Sequence, residues 1–210
     1  LRYHKKAFLF IIQIDIQPYI NKFYLPANHA TLIKQPWSLI TYMFLHNGIF
    51  HLLFNMFLLK ATEKIFLSHL HSKQLLNIYF LGGISGGLLF IISYNYLPIL
   101  SFSYSEALIL GSSASVLAIL IAISTYIPQH IIAIPFIGMI KLKYIAITCV
   151  ILDILSIPNG NIGGHIAHLG GALLGYAYIK QLKNENILKA SLIKFIKNIT
   201  TIIFRKKNIK

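Results

Sequence analysis

Charge, and acidic charge above all, is scarce in this sequence. Only 11% of its 210 residues are charged and only five are Asp or Glu, whereas 56% are hydrophobic and the mean hydropathy is +0.69. Water-soluble domains carry more charge. Disorder is also excluded, because such a chain buries enough apolar surface to offset its ordering entropy. The composition therefore predicts an integral membrane protein, with room for about six helical spans in one bundle.

Cysteine is scarcer still, since Cys149 is the only one. An intrachain disulfide is therefore excluded, and the redox compartment stays open. Cys149 lies within an apolar run, so we interpret it as a small core residue.

The basic residues are unevenly placed. Nine of the nineteen Lys and Arg residues lie between positions 180 and 210, beside a single acid, Glu185. This pattern predicts a cytoplasmic tail that contacts anionic membrane lipids, and it disfavours binding to nucleic acid.

Apolar segments predict six spans. The first, residues 7–16, is short, and because the chain opens with Leu1 we expect it to be truncated. The other five are predicted at residues 49–67, 75–96, 113–127, 144–157 and 162–179. We expect residues 1–180 to form an all-helical transmembrane domain and residues 181–210 a basic tail.

Basic residues also predict the topology. Seventeen of them fall on the side of the two termini, and only Lys22 and Lys34 fall on the other side. Both termini are therefore predicted in the cytoplasm, with the long connection at residues 17–48 outside. A bacterial plasma membrane fits this bias, and an organelle is an alternative.

Polar side chains within apolar helices are costly in a bilayer, which makes them functional candidates. His51 and Asn55 share one face of the second span. Ser113 opens the fourth span, which at about 22 Å is shorter than a bilayer core of about 30 Å. Its outer end therefore lies below the membrane surface, at about the depth of His168 in the sixth span.

These residues fit nucleophilic catalysis. A Ser at a helix N-terminus has the positive end of the dipole and free backbone N–H groups beside it, which stabilise an oxyanion. An imidazole such as that of His168 takes up the hydroxyl proton. Asp153 is the only carboxylate able to approach, and its spacing favours a Ser–His dyad without it. His165 is interpreted as a residue at the rim of the site.

Three short patterns resemble the signatures of the rhomboid intramembrane serine proteases. They are His51-x-x-x-Asn55, Gly111-x-Ser113 and Ala167-His168-x-x-Gly171-x-x-x-Gly175, in the family's order and on the matching spans. Trp37 and His46 precede them in the first connection, where His46 matches a position that helps to hold this loop.

The resemblance implies a six-helix rhomboid-like bundle in which Ser113 is the nucleophile and His168 the general base. It implies an oxyanion hole formed by His51, Asn55 and the backbone N–H of Ser113. Single-span membrane proteins would be the substrates, cleaved near the outer membrane boundary.

Three residues depart from the family pattern. Ala114 stands where Gly is common, Ser38 follows Trp37 where many members have Arg, and Leu117 stands where some members place a Tyr against the catalytic imidazole. They leave open a catalytically inactive rhomboid-like protein that binds transmembrane clients.

The nine histidines of the sequence also suggest a metal-binding protein as an alternative. However, His-Glu-x-x-His is absent from the sequence, and His51, His165 and His168 have no Cys or carboxylate at ligand spacing. We therefore expect no metal and no cofactor.

Overall fold

The computed structural model describes residues 17–205, apart from 102, 104 and 135–137. The predicted first span, at residues 7–16, lies outside the described residues. The rest is mostly helical, as predicted. The helices are α1 Gln17–Asn21, α2 His29–Lys34, α3 Ser38–Thr41, α4 Ile49–Leu67, α5 Ser72–Tyr96, α6 Pro98–Ser101, α7 Ser113–Tyr126, α8 Leu142–Ser156 and α9 Ile162–Arg205.

Two short antiparallel pairs of strands connect the helices. Strands β1 (Leu25–Pro26) and β2 (Leu108–Ile109) pair next to the start of α7. Strands β3 (Ile131–Ile134) and β4 (Gly138–Lys141) form the hairpin between α7 and α8. Single turns of 3₁₀ helix at Tyr42–Phe44 and Ile157–Asn159 complete the described elements.

Helix α7 lies at the centre of the bundle. Every residue from Ala114 to Ser124 is buried, with α4, α5, α8 and α9 packed around them. Glycines allow the closest approaches: a Cβ at Gly171 or Gly175 would collide with the backbone of Ala114 or Ala118. Small residues thus bring α9 against α7 and set how closely the two helices pack.

The helix bounds follow the sequence prediction closely except at the last helix. The predicted second span coincides with α4, and α5 begins three residues before the predicted third span. Helix α9 continues past residue 179 to Arg205, because no Gly or Pro interrupts that stretch. The predicted boundary at residue 180 therefore falls within a continuous helix.

Among the described helices, α5 alone is long and apolar enough to cross a membrane by itself. The stretch Ser38–Phe44 and helix α4 meet the same test together, bent by 93°. Helix α7 has only 14 residues, which corresponds to about 21 Å. The six-span arrangement stays a prediction.

Side-chain to backbone hydrogen bonds hold the loop that precedes α4. Trp37 Nε1 donates to the Lys22 carbonyl at 2.9 Å, and Thr41 Oγ1 donates to the Phe23 carbonyl at 3.0 Å. Ser38 is fully buried. These contacts anchor the loop without the charge that the family pattern often places at position 38.

Candidate active site

A tight turn positions Ser113 at the first residue of α7. Gly111 has φ +125°, and its N–H donates to the Tyr42 carbonyl at 2.9 Å. A side chain there would be strained, and its Cβ would lie only 2.9 Å from Cε1 of His51. Glycine at 111 therefore lets the imidazole of His51 approach the turn that carries Ser113.

The structure brings Ser113 and His168 into direct contact. Ser113 Oγ lies 2.5 Å from His168 Nε2, although 55 residues separate them in the chain. Nucleophile and base within hydrogen-bond reach are the arrangement that serine-type acyl transfer requires.

A carboxylate lies on the other side of the same imidazole. Asp153 Oδ1 is 2.7 Å from His168 Nδ1. Because a carboxylate accepts, Nδ1 carries the proton and Nε2 keeps its lone pair facing Ser113. The sequence argument that left Asp153 out was wrong on geometry: the short turn between α8 and α9 returns the chain so that residues 153 and 168 face each other.

His165 shares this carboxylate. Its Nδ1 lies 2.9 Å from Asp153 Oδ1, and its ring packs edge-on against that of His168 at 5.9 Å between centroids. The expectation that these histidines lack a carboxylate companion was therefore wrong. The sequence signal that could have identified this group is the only acid of α8, followed within 15 residues by His-x-x-His.

His51 and Asn55 line a cavity of about 270 Å³ together with Ser113, His168 and Asp153. The Asn47 N–H donates to His51 Nδ1 at 3.3 Å, so the neutral ring carries its proton on Nε2. Asn55 Nδ2 donates to the carbonyl of His51, one turn earlier, at 2.9 Å. The structure thus places both predicted oxyanion residues at the cavity that holds the Ser–His pair.

His46 contacts the residue next to Ser113. Its Nε2 lies 3.1 Å from Ser112 Oγ, and its ring meets that of His51 edge-on at 5.1 Å. Burial, and then the nearby His51, lower the pKa of His46, so its neutral form is favoured. This contact ties the loop before α4 to the N-terminus of α7.

Two of the departures from the family pattern have clear positions. Ala114 is buried, with its methyl against Gly86 and its backbone against Gly171. Leu117 lines the cavity. Asp153 holds the ring of His168 by a hydrogen bond, so the ring has a polar partner although position 117 carries no Tyr.

Known proteins resemble most of this chain. The family model for the Rhomboid domain matches residues 34–184. Presenilin-associated rhomboid-like protein A, mitochondrial, from Danio rerio is 29% identical over 149 residues, which cover 65% of this chain and 35% of that protein. Presenilin-associated rhomboid-like protein, mitochondrial, from Bos taurus is 30% identical over 162 residues, which cover 74% of this chain and 40% of that protein.

The matched segments span well under half of both relatives. Both are named as mitochondrial proteins, so the comparison gives no support to the bacterial plasma membrane expected from the charge bias. The match extends from before Trp37 to beyond Gly175, and so contains every residue of the candidate site.

Proposed function

Because the chain belongs to the rhomboid family, a family of membrane proteins, we propose that it is an intramembrane serine endopeptidase. The observation that carries this proposal is the hydrogen bond between Ser113 Oγ and His168 Nε2. Its substrates are single-span membrane proteins, cleaved near the outer boundary of the bilayer, and its chemistry needs no cofactor.

The geometry supports acyl transfer in two steps. Ser113 Oγ attacks the scissile carbonyl carbon while His168 Nε2 takes the hydroxyl proton. When the C–N bond breaks, His168 returns that proton to the leaving amine. Water then attacks the acyl-enzyme by the same route, which releases the acid product and restores Ser113.

The negative charge that develops on the carbonyl oxygen meets several donors. The N-terminus of α7 contributes the Ser113 N–H and the positive end of its dipole. His51 contributes Nε2–H, because Asn47 occupies its Nδ1. The Asn55 amide lies one turn further along the same face of α4 and lines the same cavity.

Asp153 acts as a positioning residue in this proposal. By accepting from Nδ1, it selects the tautomer whose Nε2 can act as a base, and it stabilises the imidazolium that forms. The pair that the sequence suggested thus becomes a Ser113–His168–Asp153 arrangement.

A substrate segment needs a path from the lipid. The cavity is lined by Phe54 of α4 and Leu152 of α8, whose side chains are 66% and 56% exposed. These are the most exposed residues of the cavity wall, so we place substrate access between α4 and α8. An extended segment that binds there presents its backbone to Ser113.

The test is cleavage of a single-span substrate by the full chain reconstituted in lipid vesicles. Ser113→Ala and His168→Ala should each reduce cleavage to background. Ser124→Ala, at a buried Ser on the same helix, is the matched control and should retain cleavage. If the wild type binds substrates without cleaving them, the proposal of a protease is wrong, and the alternative of a catalytically inactive protein that binds transmembrane clients takes its place.

A further inference from the structure

Asp153, His165 and His168 form a compact group of metal-type donors. One ligand atom from each residue lies within 4.8 Å of the other two. The three side chains are partly exposed, at 12% for Asp153, 20% for His165 and 21% for His168. The group lies where α8 ends and α9 begins, so a cation can reach it from water.

The donor set is one that Zn²⁺ accepts. Two imidazole nitrogens and one carboxylate oxygen match catalytic-type zinc sites, which leave the fourth position to water. Tetrahedral Zn–N bonds of about 2.0–2.1 Å place neighbouring ligand atoms about 3.3 Å apart. Both Nδ1 atoms already lie within 3 Å of the same carboxylate oxygen, so small ring rotations suffice.

We propose that Asp153, His165 and His168 bind a transition-metal cation of the Zn²⁺ type, and that the bound cation inhibits the protease. The inhibitory part rests on the proposed function, whereas the binding part does not. Each imidazole binds through Nδ1, the atom that faces Asp153.

Inhibition follows from the two nitrogens of His168. A neutral imidazole whose Nδ1 binds a metal carries its proton on Nε2. The Nε2 atom that faces Ser113 then lacks the lone pair that must accept the hydroxyl proton. Each of the two imidazoles releases its Nδ1 proton to water and takes up one proton from water at Nε2, so both rings stay neutral, and Asp153 exchanges its two hydrogen bonds for a metal bond.

Binding is tested first, independently of activity, with Co²⁺ as the spectroscopic probe. The Ser113→Ala protein in detergent should show a saturable visible absorption band of a four-coordinate site at one equivalent of Co²⁺, and Zn²⁺ should displace it. His165→Asn in the same background should weaken Co²⁺ binding at least about tenfold, because its amide is a poor metal ligand.

The matched control removes two other histidines that lie close together. His69 and His130 have ring centroids 6.0 Å apart, away from the site. The double variant His69→Asn, His130→Asn should keep the Co²⁺ band. A Co²⁺ absorption band that is unchanged in His165→Asn, or that is lost in the control variant, contradicts the proposed metal site.

Activity is tested second, with each variant compared with its own metal-free rate. Zn²⁺ should inhibit the wild type and the His69/His130 control, a chelator should restore the rate, and His165→Asn should need at least about tenfold more Zn²⁺. Inhibition of His165→Asn at the wild-type concentration overturns the inhibitory part. A wild type without cleavage in chelator contradicts the proposed function instead, and leaves the Co²⁺ result standing.

Discussion

At the scale of single residues, the carboxylate of Asp153 gives the sharpest prediction. Asp153→Asn keeps the size of the side chain but removes the charge and the preference for the productive tautomer. We expect kcat to fall by up to about 10⁴-fold with little change in KM, because the tautomer that can accept the Ser113 proton is lost while the oxyanion donors remain.

Glu63→Gln is the matched control, since Glu63 is an acid on α4 that pairs with Lys60 away from the cavity. A purely structural role for Asp153 would lower the melting temperature and leave the kcat of the folded protein in place. An unchanged kcat in Asp153→Asn therefore contradicts the positioning role.

His46 gives a prediction about stability and pH. Its pKa is lowered in the folded chain by burial and by His51, so the unfolded chain takes up this proton more readily. Neutral His46 makes its full contribution to the free energy of unfolding above the pKa of a histidine in the unfolded chain, about 6.5. This contribution is lost as the pH falls through the lowered pKa of the folded chain. The apparent melting temperature should therefore drop on acidification, and His46→Gln should drop less.

The measurement is thermal unfolding of both proteins in detergent at several pH values. Gln can still donate to Ser112 Oγ, so the two proteins should differ mainly in their response to acid. Equal drops for wild type and His46→Gln would show that other groups control the response, with His51 beside it the first to examine.

At the scale of helices, the contact of α9 with α7 is the one that glycine makes possible. Gly175→Ala places a methyl against the backbone of Ala118, which cannot yield without moving a helix. Overpacking of this kind costs about 1–3 kcal/mol. We expect a clearly lower apparent melting temperature and lost cleavage, because α9 also carries His168.

Leu173→Ala is the control for that experiment, because Leu173 lies on the same helix with its side chain 64% exposed. It should leave the melting temperature almost unchanged. A Gly175→Ala protein as stable as the wild type would contradict the close packing of α7 and α9.

The elements of the bundle were largely predictable, and one part of the site was not. Apolar length locates α4, α7 and the first part of α9, and the polar residues on these helices identify His51, Asn55, Ser113 and His168. Asp153 was missed because its role depends on the rotation of α8 against α9. A one-dimensional pattern does not contain that rotation.

At the scale of the whole molecule, the charge bias predicts which side each loop faces. Lys34 and Lys141 are both exposed and lie in connections predicted on opposite sides. In a Cys149→Ser background, a membrane-impermeant maleimide should label Lys34→Cys in intact membranes, and Lys141→Cys only after permeabilisation. Equal labelling of both in intact membranes would contradict the topology.

The single thiol has a further consequence. Cys149 lines the same cavity as Ser113 and His168 and is half-buried there, and the sequence contains no other cysteine. A fluorescent label attached to the unmodified sequence would therefore occupy one known position in the cavity that contains Ser113. Cys149 thus provides a single attachment point for a dye. The change in fluorescence of that dye would follow the entry of a substrate segment into the cavity in real time.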